Sequence, residues 1–212
     1  MKAVVLLSGG LDSTVCTAAL VAAGHTVRAL SVHYGQRHSR ELESARAVAR
    51  HYGIAHETAA IPAELVGGSA LTGGGPVPHG HYEDESMRAT VVPNRNMILL
   101  AYAAAVAVRE GFDAVAYTAH AGDHAVYPDC RPAFADAMRA ALAVCHYEPV
   151  RLVAPFVGKT KAQIVSDGIL LRAPLTLTWS CYEGGARPCG RCGTCVERAE
   201  AFRLAGETDP AA

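Results

Sequence analysis

The chain has 212 residues, half of them hydrophobic and 18% charged, and its formal net charge is −1. This length allows one substantial domain with its own core. The near-zero charge argues against a large nucleic-acid interface, which would require a basic excess, and no uncharged run is long enough to cross a membrane. The chain starts without the basic residues and cleavage site of a signal peptide, so we expect a cytoplasmic protein that binds neither nucleic acid nor membrane.

The first predicted element is a buried strand that runs through a glycine turn into a helix. Residues 3–7 are apolar and partly β-branched, and the mostly apolar run 15–23 predicts the helix. Free N–H groups and the dipole at a helix start bind phosphate, and glycines let it approach closely. The alternative is a tight turn in which Asp12 caps the helix. We predict a nucleotide-binding loop formed by Leu7, Ser8, Gly9, Gly10, Leu11, Asp12, Ser13 and Thr14.

The following elements alternate between strands and helices. Apolar runs predict strands at 26–33, 54–61, 113–119 and 150–156. Helical periodicity predicts helices at 39–52, 94–109, 131–144 and 160–171. Gly168 should break the last helix. Alternation at this spacing predicts an α/β fold with a doubly wound parallel sheet and right-handed crossovers.

One segment, residues 62–93, interrupts this alternation. It is rich in glycine and proline and shows no sustained period. Such a segment is either a mobile surface excursion or a lid that closes over a substrate.

Polar residues cluster where the predicted strands end. The clusters lie at 34–38, 92–96, 120–131 and 155–161. Ligands of parallel sheets bind at the carboxyl ends of the strands, so we expect one cleft to gather all four clusters.

Seven cysteines are present, and four of them crowd near the C-terminus as C-x7-C-x2-C-x2-C. Four thiolates without histidine favour a structural Zn²⁺ over an iron–sulfur cluster, whose sequence runs continue with Cys-Pro, and disulfides are the weakest alternative. Cys16 and Cys145 are predicted core residues, whereas Cys130 lies at the cleft edge and is a weak candidate nucleophile. The predicted zinc ligands are Cys181, Cys189, Cys192 and Cys195. We therefore divide the chain into an ATP-binding domain, residues 1–175, and a zinc-binding segment, residues 176–212, packed on it.

The loop S-G-G-L-D-S resembles that of the PP-loop ATP pyrophosphatases, which cleave ATP between the α and β phosphates and adenylate a substrate oxygen. Three further motifs, YGQRH at 34–38, VPNRN at 92–96 and YPDCR at 127–131, precede the four-cysteine tail in order. With these, the chain resembles the QueC family of 7-cyano-7-deazaguanine synthases over nearly its whole length. The resemblance implies a doubly wound parallel sheet with a small zinc appendage, and a homodimer.

The resemblance also implies a reaction on small molecules. ATP, with Mg²⁺, would adenylate the carboxylate of 7-carboxy-7-deazaguanine, ammonia would displace AMP to give the amide, and a second activation would dehydrate the amide to the nitrile. An acyl-adenylate hydrolyses readily, so the site must exclude water, which is a plausible task for residues 62–93.

Family roles carry over to residues that match the motifs. The implied catalytic residues are Asp12, Ser13, Arg95 and Lys161. The implied substrate contacts are Gln36, Arg37, Asn94, Arg95, Asn96, Asp123, Asp129 and Arg131. Lys161 could instead be an ordinary exposed lysine, and Arg37 and Arg95 could form salt bridges beside the cleft.

One departure from the family pattern leaves the product open. His120 and His124 stand in a stretch, residues 118–126, where many members carry a different motif. The product could therefore be the amide. The alternatives are a PP-loop enzyme that adenylates another acceptor, such as an amide-forming ligase or a tRNA sulfur transferase using Cys130, and a zinc-ribbon binding module with a degenerate loop.

Overall fold

The computed structural model describes residues 1–211 and contains one five-stranded sheet. Its strands are β1 (Lys2–Leu6), β2 (Thr26–His33), β3 (Ala55–Ala60), β4 (Ala114–Ala116) and β5 (Arg151–Val153). All four pairings are parallel, in the order β3-β2-β1-β4-β5. The register places Val4 beside Arg28 on one side and beside Val115 on the other. The chain order reverses around the central β1, so the predicted doubly wound parallel sheet is confirmed.

Helices cover both faces of the sheet. They are α1 (Leu11–Ala22), α2 (Arg40–Tyr52), α3 (Ala63–Val66), α4 (Arg95–Glu110), α5 (Pro132–Ala143), α6 (Lys161–Leu170) and α7 (Gly193–Ala205). One core joins Val4 and Leu30 of the sheet to α4 and α5, and the other joins Val5 to α1, α2, α6 and α7. Because both faces are covered, the central β1 is apolar from Ala3 to Leu6, and all three residues of β4 are apolar and buried.

Two helix boundaries differ from those that the sequence predicts. Helix α1 begins at Leu11, so Asp12 lies in its first turn, and the N-cap is Gly10 without a side-chain cap. Helix α6 continues through Gly168, so the predicted break there is wrong. Gly168 is needed for close packing, because an added Cβ would lie 2.8 Å from Val15 Cγ2.

Segment 62–93 contains short helical elements and packs against the rest of the chain. It holds α3 and 3₁₀ turns at Ala70–Thr72 and Glu85–Thr90. Met87 is fully buried in the core. Arg37 Nη1 donates to the carbonyl oxygens of Ala70 at 3.2 Å and Gly75 at 2.6 Å, which fastens the segment beside the cleft.

Helix α7, which the sequence analysis did not predict, joins the cysteine segment to the main domain. It packs against α6, and Phe202 enters the second core. Arg198 is buried because it pairs with both carboxylate oxygens of Asp209, at 2.6 and 2.9 Å, and donates to Thr178 Oγ1 at 2.8 Å. Cys16 is a core residue as predicted, but Cys145 is exposed after the end of α5, so its predicted burial is wrong.

No helix in residues 1–211 combines the length and apolar character that crossing a bilayer requires.

Candidate active site

One cleft opens at the carboxyl ends of the strands and gathers side chains from all four polar clusters that the sequence analysis singled out. Its lining from these clusters and the nucleotide loop comprises Leu7, Ser8, Gly10, Leu11, Asp12, Tyr34, Gln36, Arg37, His38, Arg95, Asn96, His120, Asp123, Cys130 and Lys161. The cysteine segment and α7 add Trp179, Ser180, Tyr182 and Thr194. The cleft therefore lies where the main domain and the cysteine segment meet.

The nucleotide loop is held rigidly between β1 and α1. Gly9 has φ +87° and packs so closely on α2 that an added Cβ would lie 2.1 Å from the Glu41 carbonyl oxygen. Ser8 Oγ accepts from Gly10 N at 3.2 Å and lies 3.1 Å from Ser13 Oγ. Ser13 and Thr14 are buried, and both hydroxyls donate to the Gly10 carbonyl oxygen. These bonds hold the turn at the N-terminus of α1, and a helix N-terminus can bind an anion.

Lys161, the first residue of α6, reaches the nucleotide loop. Its Nζ lies 2.7 Å from Asp12 Oδ2, 3.3 Å from Glu197 Oε2 and 3.3 Å from His120 Nε2. Burial alone would lower the pKa of Lys161, but the carboxylates of Asp12, Glu197 and Asp123 raise it above its usual range. The Lys161 ammonium is therefore a fixed cation at one end of the cleft, the end that the loop lines.

The other end of the cleft is aromatic. The Arg95 guanidinium lies over the Tyr34 ring, with Cζ 5.9 Å from the ring centroid. Tyr117 and Tyr182 also line this region, and the buried Tyr117 hydroxyl has no hydrogen-bond partner in residues 1–211. A planar ligand with a carboxylate substituent would find aromatic faces and a guanidinium here.

Some predicted contact residues support the cleft from outside. Asp129 accepts at Oδ2 from Asn96 N at 3.0 Å, which satisfies a free donor at the start of α4. Asn94 is exposed and has φ 57°, and Arg131 is exposed and donates from Nε to the His124 carbonyl oxygen at 2.9 Å. These three residues do not line the cleft, nor do Gly9, Ser13 and Thr14 of the loop.

Gln36 and Arg37 line the cleft but use their side chains locally. Gln36 accepts from Tyr34 N at 2.8 Å and donates to the Val32 carbonyl oxygen at 3.2 Å. In the part of the chain that the structure describes, neither Arg37 nor Arg95 forms a salt bridge. The alternative that Arg37 or Arg95 forms a salt bridge beside the cleft is therefore not borne out.

The residues that the sequence analysis missed include Glu41 and Tyr82, which line the cleft, and Glu197, which lies beside it and contacts Lys161. Glu41 lies on α2, whose charges are typical of a solvated face; Tyr82 lies in segment 62–93, and its hydroxyl donates to Asp123 Oδ1 at 3.0 Å. Glu197 lies on α7, beside the cysteines. None belongs to a motif, so only tertiary packing reveals them.

The four predicted metal ligands come together. Their Sγ atoms all lie within 4.8 Å of one another. Backbone N–H groups point at two of them: Cys181 Sγ accepts from Cys189 N at 3.3 Å, and Cys189 Sγ accepts from Cys192 N at 3.3 Å. Four sulfurs at this spacing, supported by N–H donors, fit a tetrahedral structural metal ion without an open position.

The environment of Glu41 predicts that the free energy of unfolding depends on pH. Burial raises its pKa to about 7, an effect that Arg95 partly offsets. Between about pH 4.5 and pH 7 the Glu41 carboxyl is therefore protonated in the folded state but ionised in the unfolded state. The free energy of unfolding falls as the pH rises through that range. We expect Glu41→Gln to raise the free energy of unfolding above pH 7 and to change it little at pH 5. Urea unfolding at both pH values, with Glu43→Gln on the exposed face of α2 as the control, tests this; an equal effect of Glu41→Gln at both would contradict it.

Comparison with known proteins gives the family. A model of the family described as queuosine biosynthesis protein QueC matches residues 2–206. The 7-cyano-7-deazaguanine synthase of Marinobacter nauticus is 52% identical over 99% of this chain and 96% of its own length. That of Chelativorans sp. is 54% identical over 99% of this chain and 92% of its own length.

Two solved structures share the fold. NMN synthetase from Francisella tularensis has a TM-score of 0.50 and 17% identity, covering 97% of this chain and 77% of its own. A predicted subunit of a tRNA methyltransferase from Methanocaldococcus jannaschii has a TM-score of 0.54 and 14% identity, covering 99% and 90%. At such identities the likeness concerns the fold alone. On the full-length family match and its half-identical relatives, this chain belongs to the QueC family of queuosine biosynthesis proteins.

Proposed function

We propose that the protein converts 7-carboxy-7-deazaguanine and ammonia to 7-cyano-7-deazaguanine at the expense of ATP. The observation that carries this proposal is the layout of one cleft: a polar loop with a fixed lysine at one end, and a guanidinium among aromatic rings at the other. Such a layout can hold a nucleotide and a planar carboxylate end to end. Full-length relatives that are named as synthases of this product support the choice of substrate.

The nucleotide loop, residues 7–14, would bind the ATP phosphates, and Lys161 would neutralise their charge. Asp12 Oδ1 is buried and lacks a hydrogen-bond partner within residues 1–211, whereas Oδ2 pairs with Lys161. A free carboxylate oxygen beside a phosphate site fits a hydrated Mg²⁺, which binds through one or two carboxylates and substrate phosphates. Bound there, the ion would polarise the α-phosphate.

At the aromatic end, Arg95 would pair with the substrate carboxylate, and the rings of Tyr34, Tyr117 and Tyr182 would contact the heterocycle. Glu41 supplies a carboxylate for the N1–H and amino donors of a guanine-like edge. Gln36, Arg37, Asn96 and Asp123 also line the cleft, Asp123 near Lys161. Asn94, Asp129 and Arg131 would act indirectly, by supporting α4 and the loop before α5.

The chemistry follows from the need for a good leaving group. A carboxylate oxygen attacks the α-phosphorus, pyrophosphate leaves, and ammonia then displaces AMP from the acyl-adenylate to give the amide. The amide oxygen attacks a second ATP in the same way, and loss of AMP and two protons gives the nitrile. Lys161 and the loop N–H groups stabilise the charge that develops on phosphate in both steps. Leu71 and Tyr82 of segment 62–93 line the cleft, where they can limit hydrolysis by water.

The four-cysteine cluster would hold a structural Zn²⁺ and keep the C-terminal segment in place. Its thiolates offer no open position, so the ion takes no part in the reaction. We also infer that the cluster completes the active site, since residues 176–212 contribute Trp179, Ser180 and Tyr182 to the cleft.

A sulfur-transfer reaction is disfavoured by the state of Cys130. Burial raises the pKa of its thiol above the usual range, and Asn96 Nδ2 donates to Sγ at 3.3 Å. The bond from Asn96 favours the thiolate, but burial outweighs it, and a thiol that burial keeps protonated is a poor nucleophile.

Mass spectrometry of a reaction that contains ATP, Mg²⁺, ammonium and 7-carboxy-7-deazaguanine tests the proposal. The expected products are the nitrile, AMP and pyrophosphate. The amide as sole product would support adenylation but contradict the second activation. No conversion of the deazaguanine by protein that binds ATP would contradict the assigned substrate.

A further inference from the structure

We propose that Glu197 is a positioning residue for the proposed reaction: it holds Lys161 at the phosphate end of the cleft, and the metal-binding segment supplies it. The predicted effect on turnover rests on the proposed function, whereas the contact between Glu197 and Lys161 does not depend on it. Lys161 begins α6 and Glu197 lies on α7, yet Nζ and Oε2 are 3.3 Å apart. Neither side chain is more than 16% exposed, so the charges face each other largely away from water.

A second residue fixes the other oxygen of Glu197. His120 is 1% exposed, and its Nδ1 accepts from Gly122 N at 3.1 Å. That bond leaves the proton of a neutral imidazole on Nε2, which lies 3.5 Å from Glu197 Oε1 and 3.4 Å from Asp123 Oδ1. In this tautomer Nε2 does not accept from Lys161 Nζ, 3.3 Å away, so the carboxylates are the acceptors for both groups. Glu197 thus lies between a histidine N–H and the lysine, with one oxygen facing each.

The local backbone permits this close arrangement. An added Cβ on Gly122 would lie 2.9 Å from His120 Cε1 and 3.0 Å from Glu197 Oε1. The turn therefore needs a residue without a side chain at this position if Glu197 is to reach Lys161. The N-terminal half of helix α7 is fixed at two points. Cys192 is its N-cap residue, and Arg198 is paired with Asp209.

Asp12 and Glu197 have different tasks in this arrangement. Asp12 belongs to the nucleotide loop, and a bound Mg²⁺ would compete with Lys161 for its carboxylate. Glu197 lies outside that loop and can keep the flexible lysine side chain in one position throughout the reaction. A lysine that is held in place stabilises charge in the transition state without a reorganisation cost.

The test compares Glu197→Gln with Glu200→Gln. Glu200 lies one turn later on α7 and is half exposed, and its one salt bridge within residues 1–211 is to Arg203, at 3.6 Å. We expect Glu197→Gln to lower kcat by about 10- to 100-fold, with KM for ATP changed by less than about threefold, and metal content and Tm to stay at the parent values. Glu200→Gln should match the parent in kcat, KM for ATP, metal content and Tm. A kcat within about twofold of the parent, or a joint loss of kcat, metal and Tm, would overturn the proposal.

A second measurement does not depend on the substrate. The chain has only three lysines, Lys2, Lys159 and Lys161, so carbon-13 relaxation at the lysine Cε atoms resolves each of them. We expect Lys161 to be rigid in the parent and mobile in Glu197→Gln, while the other two stay unchanged. If the parent forms no nitrile, the proposed function fails, and this relaxation still decides whether Glu197 positions Lys161. Unchanged Lys161 relaxation in Glu197→Gln would contradict it.

Discussion

Replacement of Lys161 by methionine is expected to lower kcat by about 100- to 1,000-fold, which is the usual effect of removing one preorganised group from a charged transition state. Methionine keeps the length of the side chain but removes the cation that lies 2.7 Å from Asp12 Oδ2. The loss should appear in kcat more than in KM for ATP, because the loop N–H groups remain to bind the phosphates. Steady-state kinetics with ATP and the deazaguanine substrate measures both.

Lys159→Met is the matched control. Lys159 lies two residues earlier, and its Nζ pairs with Asp167 while 41% of its side chain stays exposed. We expect this variant to retain parental kinetics. Equal losses in the two variants would show that any change near the start of α6 is damaging, and a fully active Lys161→Met would remove the lysine from the mechanism.

Replacement of Cys192 by serine is expected to abolish stoichiometric metal binding and to lower the free energy of unfolding by about 3 kcal/mol or more. In a chain of this length that loss lowers Tm by about 6–12 °C. Cys192 is fully buried, its N–H donates to Cys189 Sγ, and it precedes α7, so the loss of its sulfur releases both the ion and the helix start. Metal analysis and thermal unfolding of the same preparation measure the two effects.

Cys145→Ser serves as the control, because Cys145 is exposed and lies outside the cluster. It should leave metal content and Tm unchanged. Full metal content and an unchanged Tm in Cys192→Ser would contradict a structural metal site. Elemental analysis of the parent identifies the ion, with zinc expected at one per chain.

The sheet could be predicted because its central strands are buried on both faces, which leaves an apolar signature at residues such as Val4, Val5 and Leu30. Helix α7 could not, because its buried face includes Arg198, whose charge is compensated by Asp209 eleven residues later. Gly168 caused the opposite error, because it predicted a helix break that α6 does not contain. Its missing side chain makes room for Val15 of α1, a tertiary reason that local propensity does not contain.

The turn between β1 and α1 and the grouping of the four cysteines could be predicted because consecutive or closely spaced residues form them. Glu41 at the cleft and Glu197 beside Lys161 could not, since each lies on a helix whose charges look solvated in sequence. Glu41 lies at the cleft because the backbone of α2 packs on Gly9, and Glu197 reaches Lys161 because Gly122 makes room for it. Asp129 shows the converse: this motif residue, a predicted substrate contact, accepts from Asn96 N at the start of α4, which the motif does not reveal.

The central claim, that ATP activates an oxygen of the substrate, is tested most directly by tracing that oxygen. We expect 7-carboxy-7-deazaguanine labelled with oxygen-18 at both carboxylate oxygens to give the nitrile and two molecules of AMP, each carrying one labelled oxygen in its phosphate. The first label leaves with the acyl-adenylate and the second with the adenylated amide. AMP without label, or formation of ADP in its place, would contradict the account.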